Sequence, residues 1–173
     1  MNVVAIGIGG SYLGPEFVYE ALRFDSVAQN EAHERRLKFL ANVDPIDIHR
    51  ALEDVDFEQT IFVIVSKTFT TAETMLNART IKRKITEFFN AKVENADAEA
   101  ALKAHLCAVS TNHAATDAFG IARENVFGFW DWVGGRYSVS SAVGLLPLSL
   151  HYGYEVLDNF LKGLASVDQC LTS

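Results

Sequence analysis

The sequence is poor in what a nucleic acid, a metal or a bilayer would require. Its 15 Lys+Arg stand against 22 Asp+Glu, leaving a formal net charge of −7. A phosphate backbone needs a concentrated basic surface, so nucleic acid is not an expected partner, whereas a small anion needs only a few local groups. Two cysteines, Cys107 in an apolar run and Cys170 near the end, form neither a metal-spaced pair nor a disulfide framework, and they suit a reducing cytoplasm. The five histidines are scattered, none at ligand spacing from a cysteine or carboxylate, and His113 reads as a helix-start residue. No stretch approaches the roughly 18 apolar residues of a membrane span, and the N-terminus lacks the basic and apolar segments of a signal peptide, so no membrane partner is expected. With only three prolines and 49% hydrophobic residues, 173 residues suffice for one sizeable core, and one compact domain is expected.

What is present is an alternation of short β-rich runs with stretches of helical period, the pattern of a parallel sheet covered by crossover helices. Five strands are expected, at residues 3–8, 38–42, 60–66, 105–111 and 125–129. The run "TIFVIVSK" is apolar on successive residues, so both its faces should be covered and it belongs mid-sheet. Pro15 suits the first position of a helix through Phe17, Val18, Ala21 and Leu22. Asp44 and Pro45 suit the cap and first turn of the next. Met75, Ala78, Ile81, Ile85 and Phe88 recur at three- and four-residue spacing, which predicts a helix with one face on the sheet. The alanine- and charge-rich segment 90–106 reads as a solvated helix entering the fourth strand. From Ser140 onward the sequence reads as one or two helices. No internal repeat is visible.

In open parallel sheets ligands sit beyond the carboxyl ends of the strands. Three segments there are rich in small or hydroxyl residues: 7–14, 66–71 and 134–138. The first, within "AIGIGGSYLGP", fails as a dinucleotide fingerprint because the third glycine position holds Tyr12, and fails as a P-loop because Pro15 stands where lysine is required. It fits a close backbone approach to a ligand, with Ser11 offering a hydroxyl at a helix mouth, and equally a bare strand-to-helix turn. The second, "VSKTFTTAET", holds Ser66, Thr68, Thr70 and Thr71 beside Lys67. Thr70 and Glu73 have capping-box spacing, yet capping needs one hydroxyl, and four of them at a helix start suit a phosphate monoester. The third, "FWDWVGGRYS", places Arg136 behind two glycines, where a guanidinium can stabilise charge developing on oxygen. Trp130 and Trp132 are expected to pack rather than to stack on sugar.

These three stretches, in this order, resemble successive signatures of the glucose-6-phosphate isomerase family, and residues 131–144 resemble its diagnostic segment along their whole length. The resemblance implies a sugar-isomerase (SIS) domain: an α/β fold with a five-stranded parallel sheet in a three-layer α/β/α sandwich, doubly wound and flavodoxin-like. It implies the aldose-ketose interconversion of glucose 6-phosphate and fructose 6-phosphate through an enediolate, in glycolysis and gluconeogenesis, by a cytoplasmic homodimer without metal or organic cofactor. Carried over by position, Gly10 and Ser11 match the first sugar-phosphate contact. Ser66, Lys67, Thr68 and Thr71, with Phe69 and Thr70 between them, match the phosphate loop. Gly135 and Arg136 match the glycine and arginine beside the reacting carbons, where Arg136 would stabilise the enediolate. The family's glutamate base, ring-opening histidine and late lysine have no counterpart in this sequence. Residues 1–173 are therefore expected to be the first SIS domain of a longer enzyme, nearly inactive alone, since a positioned base contributes about 100- to 10,000-fold. A non-catalytic phosphosugar-binding SIS module is the alternative.

Overall fold

The computed structural model describes residues 1–92 and 97–172. Five strands form one all-parallel sheet in the order β2-β1-β3-β4-β5: β1 Asn2–Ile6, β2 Arg36–Leu40, β3 Thr60–Val65, β4 Leu106–Val109 and β5 Val126–Phe127. The "TIFVIVSK" run supplies β3, in the middle as expected. Ile6 pairs with Ile64, Val65 with Val109, and Val109 with Phe127, so the loops after β1, β3, β4 and β5 leave from one edge.

Every strand stops short of its expected end, because the chain leaves the ladder to build those loops. Strand β2 shows the cause most clearly. Its expected last residues, Ala41 and Asn42, give their amide protons to Asp47 Oδ2 at 3.0 and 2.9 Å instead of to the sheet.

The first helix, α1 (Gly10–Leu22), begins five residues before Pro15, which lies inside it rather than at its first position. Gly9, at φ 58°, turns the chain, and its carbonyl accepts from Tyr12 and Leu13 at 3.0 and 2.8 Å. The left-handed turn that glycine permits thus starts the helix before proline can. A short helix, α2 (Ser26–Ala32), was not expected. Asp25 caps it by accepting from Ala28 N at 2.8 Å, and a polar cap before alanines four apart was its sequence signal.

Helix α3 (Pro45–Leu52) is capped by Asp44, as its sequence suggests. Helix α4 (Ala72–Lys92) buries Met75, Ala78, Ile81 and Ile85, while half-buried Phe88 stacks on Phe57 at 5.3 Å. The single helix expected over 90–106 falls partly outside the described residues. Within them, Asp97 caps a separate α5 (Ala98–His105), and His105 ends that helix instead of starting β4, with Nδ1 2.8 Å from the Thr60 carbonyl. Helix α6 (His113–Phe119) follows β4, capped by Asn112. After β5 come a 3-10 segment, Gly135–Ser140, and helices α7 (Ala142–Tyr152) and α8 (Tyr154–Thr172).

Alternate strand residues face two cores. Val3, Ala5, Val63, Val65, Cys107 and Val109 pack with α1, α2, α7 and α8. Val4, Ile6, Phe62, Ile64, Leu106 and Ala108 pack with α3 to α6. The result is the three-layer, doubly wound sandwich expected from the sequence.

Candidate functional site

The strand order reverses direction between β1 and β3, and helices α1 and α4 that follow them lie on opposite faces. Such a switch point opens a crevice at the carboxyl edge of the sheet. Loops 7–9 and 66–71 border it.

Loop 66–71 is shaped by a buried aromatic. Phe69 sits at φ 57°, uncommon for a non-glycine residue. Its ring, 4% exposed, anchors against Phe119 at 5.6 Å, and its amide donates to the Ser66 carbonyl at 3.2 Å. Phe69 therefore sets the shape of the loop from within the core. The loop's carbonyls are turned toward the start of α6. Lys67 O accepts from Thr111 N, Thr111 Oγ1 and Ser110 Oγ at 3.0, 2.8 and 3.0 Å, and Thr68 O accepts from Asn112 Nδ2 at 2.9 Å. Among the described residues, the amides of Thr68, Thr70 and Thr71 have no protein acceptor. They sit at the N-terminus of α4, whose dipole favours an anion.

The hydroxyls add to this. Ser66, 3% exposed, lies with its Oγ 3.5 Å from Thr71 Oγ1, and Thr68 Oγ1 is 2.7 Å from Thr70 Oγ1. The Thr70 hydroxyl thus bonds Thr68, and the capping box with Glu73 is not made. Thr71 instead stands directly before α4, its carbonyl accepting from Met75 N at 2.9 Å. No carboxylate among the described residues hydrogen-bonds to a 66–71 side chain.

The three motifs are physically joined. A methyl group added to Gly10 would lie 2.2 Å from the Gly135 carbonyl oxygen, so α1 and the Gly135–Ser140 segment meet backbone to backbone. One added to Gly7 would lie 2.9 Å from Ser11 Cβ and 3.2 Å from the Val65 carbonyl, which sets half-buried Ser11 close to the end of β1. Lys67 reaches across from the second motif to the third: its Nζ donates to the Asp131 carbonyl, and to the Val133 carbonyl at 3.3 Å. Arg136 is exposed, and its side chain makes no hydrogen bond or ion pair among the described residues.

Two features were not legible in the sequence. Ser110, Thr111 and Asn112 hold the 66–71 loop through its carbonyls; a run of three polar residues directly after β4 was the signal. Trp130 and Trp132, expected to pack, are 70% and 76% exposed. With Tyr137 and Ser140 they line an open concavity of about 570 Å³. They lie beyond the end of β5, which is only two residues long and brings no helix over them.

Elsewhere the chemistry is quiet. Burial pushes the Cys107 thiol up to about 12, which makes it inert. Among the described residues no group of His, Cys, Asp and Glu is arranged to hold a metal. No helix of the described residues is long and apolar enough to cross a membrane.

The phosphoglucose isomerase family model matches residues 1–173. The chain is 56% identical over 168 residues to cytosolic A glucose-6-phosphate isomerase of Oryza sativa subsp. japonica, covering 97% of this chain and 28% of that protein. It is 55% identical to the cytosolic glucose-6-phosphate isomerase of Arabidopsis thaliana, covering 29% of it. The crystal structure of a glucose-6-phosphate isomerase from Chlamydia trachomatis superposes with a TM-score of 0.75 at 32% identity, over 97% of this chain and 29% of that one. The chain therefore spans under a third of the length of these relatives. With the family model matched from end to end and its three motifs joined at one sheet edge, the chain belongs to the phosphoglucose isomerase family.

Proposed function

We propose that this chain supplies the phosphate-binding side of the active site of an enzyme that interconverts glucose 6-phosphate and fructose 6-phosphate. The observation that carries the reading is loop 66–71, where amides without protein acceptors and four hydroxyls gather at the start of a 21-residue helix. A phosphate monoester presents three oxygens able to accept them. Gly10 and Ser11 border the sugar from α1. Gly135 and Arg136 are assigned to the sugar's carbonyl carbons, a reading supported by the contact that joins Gly135 to Gly10.

The reaction moves a proton. A base takes it from C2 of the open-chain aldose, the electron pair spreads over an enediolate, the proton returns to C1, and the hydroxyl proton of O2 passes to O1, which leaves the ketone at C2. Arg136, whose side chain has no partner among the described residues, is the group that balances the oxyanion charge. The base belongs to the part of the enzyme outside this chain. Residues 1–173 form the first of two SIS domains in a cytosolic homodimer; the relatives' cytosolic names support the location, and their greater length supports a larger enzyme. The strongly acidic balance supports a small-molecule partner rather than nucleic acid.

A coupled isomerase assay on the natural-length enzyme tests the reading. Arg136→Lys is expected to lower kcat about 100- to 1,000-fold with little change in KM, as for loss of one oxyanion-stabilising donor. An unchanged kcat would remove Arg136 from the reaction. The 173-residue chain alone is expected to bind glucose 6-phosphate without turning it over.

A further inference from the structure

The side chain of Lys67 is turned away from its own loop. A cation beside an anion loop is ordinarily taken as a ligand for the anion, yet its Nζ rests on the carbonyl oxygens of Asp131 and Val133, 64 and 66 residues away in sequence. The same residue's carbonyl collects the three donors from Ser110 and Thr111. Lys67 thus joins three loops: its own after β3, the one after β4, and the one that leads from β5 to Arg136. The segment it grips has little else to fix it. Strand β5 ends at Phe127, and Trp130 and Trp132 are exposed. Beyond Phe129, which packs on the core, the backbone–backbone hydrogen bonds of 128–134 among the described residues are two local ones, from Val133 N to the Trp130 carbonyl and from Tyr137 N to the Gly134 carbonyl.

We propose that Lys67 is a positioning residue: its ammonium, by holding the carbonyls of Asp131 and Val133, fixes where Arg136 stands relative to the phosphate loop. This rests on the isomerase reading for what Arg136 does, but the tether itself is independent of it. Arg136 enters the Gly135–Ser140 segment three residues after Val133, and the Gly10 contact meets the residue directly before it, Gly135. Because the Gly135–Ser140 segment is itself packed through Ser138 and Val139, a slack 130–134 stretch would shift the guanidinium by a small distance rather than release it, while phosphate still bound to the amides and hydroxyls. Distance errors of this kind cost rate far more than binding.

Two measurements test the tether. In the 173-residue chain both tryptophans lie in the tethered segment, so their nanosecond fluorescence anisotropy reports its mobility without any substrate. Lys67→Met is expected to lower that anisotropy, and Lys67→Arg, which can still donate to two carbonyls, to restore most of it. An unchanged anisotropy in a Lys67→Met chain that still melts cooperatively overturns the proposal. So does an equal loss in Lys67→Arg and Lys67→Met. In the natural-length enzyme, Lys67→Met is expected to lower kcat at least tenfold with KM for glucose 6-phosphate within about twofold. A raised KM with kcat retained would make Lys67 a direct phosphate ligand and overturn it. If the parent enzyme does not turn over glucose 6-phosphate, the isomerase reading fails, and the anisotropy result still decides the tether.

Discussion

The Cα of Gly10 faces the Gly135 carbonyl so closely that an added Cβ would stand 2.2 Å from its oxygen. Two of the residues singled out by sequence motif are thus in contact, and the closeness constrains Gly10, whereas a Cβ on Gly135 would meet only the Gly10 Cα at an ordinary 3.9 Å. Neither backbone can retreat easily, since α1 is packed on the sheet through Val18 and the 3-10 segment through Ser138 and Val139.

Gly10→Ala is therefore expected to destabilise the chain by about 1–3 kcal/mol, the range for an added methyl in a tightly packed site. It should also displace Arg136. Gly163→Ala makes the control, because nothing lies within 4 Å of its added methyl and the position is inside α8. Relief of glycine's backbone entropy there should raise stability by roughly 0.5–1 kcal/mol. Urea midpoints of the two variants moving in the same direction would refute the close-contact account.

Loop 66–71 yields a second prediction. Ser66→Ala and Thr71→Val each remove one hydroxyl from the anion site while leaving its amides. Hydrogen bonds to a charged group contribute about 1.5–3 kcal/mol, so each variant should weaken glucose 6-phosphate binding by roughly 10- to 100-fold in titration calorimetry. Thr80→Val, whose hydroxyl bonds only the Leu76 carbonyl on the exposed side of α4, should leave affinity unchanged. Equal affinities across all three variants would mean that the hydroxyls serve the loop and not a ligand.

The sheet and its order of burial were legible because period and apolar runs survive tertiary context. Residues 61–65 are apolar on both faces whichever helices cover them, and the α4 stripe from Met75 to Ile85 faces the sheet as its spacing requires. Boundaries were less legible, because they are decided by groups distant in sequence. Asp47 takes the amides that would have extended β2, and the turn at Gly9 starts α1 ahead of Pro15. At the site, the residue types were readable and the connections were not. Spacing shows that Lys67 is a cation near hydroxyls; only the fold shows that it reaches two carbonyls beyond Trp130. The exposure of Trp130 and Trp132 escaped for a similar reason, since bulk and apolarity speak of packing in general and not of whether a neighbour lies within this chain.

The last prediction concerns acid stability and His151. Its ring is 5% exposed, set between Tyr19 and Tyr152 at 5.5 and 4.3 Å, and its Nδ1 finds no partner. Burial, reinforced by the nearby charge of Arg35, holds its pKa down to about 4 against an ordinary 6.5. The unfolded chain therefore takes up a proton below pH 6.5 that the folded chain refuses until pH 4. Stability is complete above pH 6.5 and is lost as pH falls from there toward 4, with a ceiling of about 1.4 kcal/mol per pH unit for one proton. The lowered pKa of the Asp117 carboxyl, which Arg123 stabilises, acts below its ordinary 3.8, outside that window. His151→Phe keeps a flat ring between the two tyrosines and leaves the backbone carbonyl that accepts from Arg35 Nε at 2.8 Å. Urea midpoints at pH 7.5 and 5 should differ clearly in the parent chain and much less in the variant. An equal drop in both would place the acid-sensitive group elsewhere.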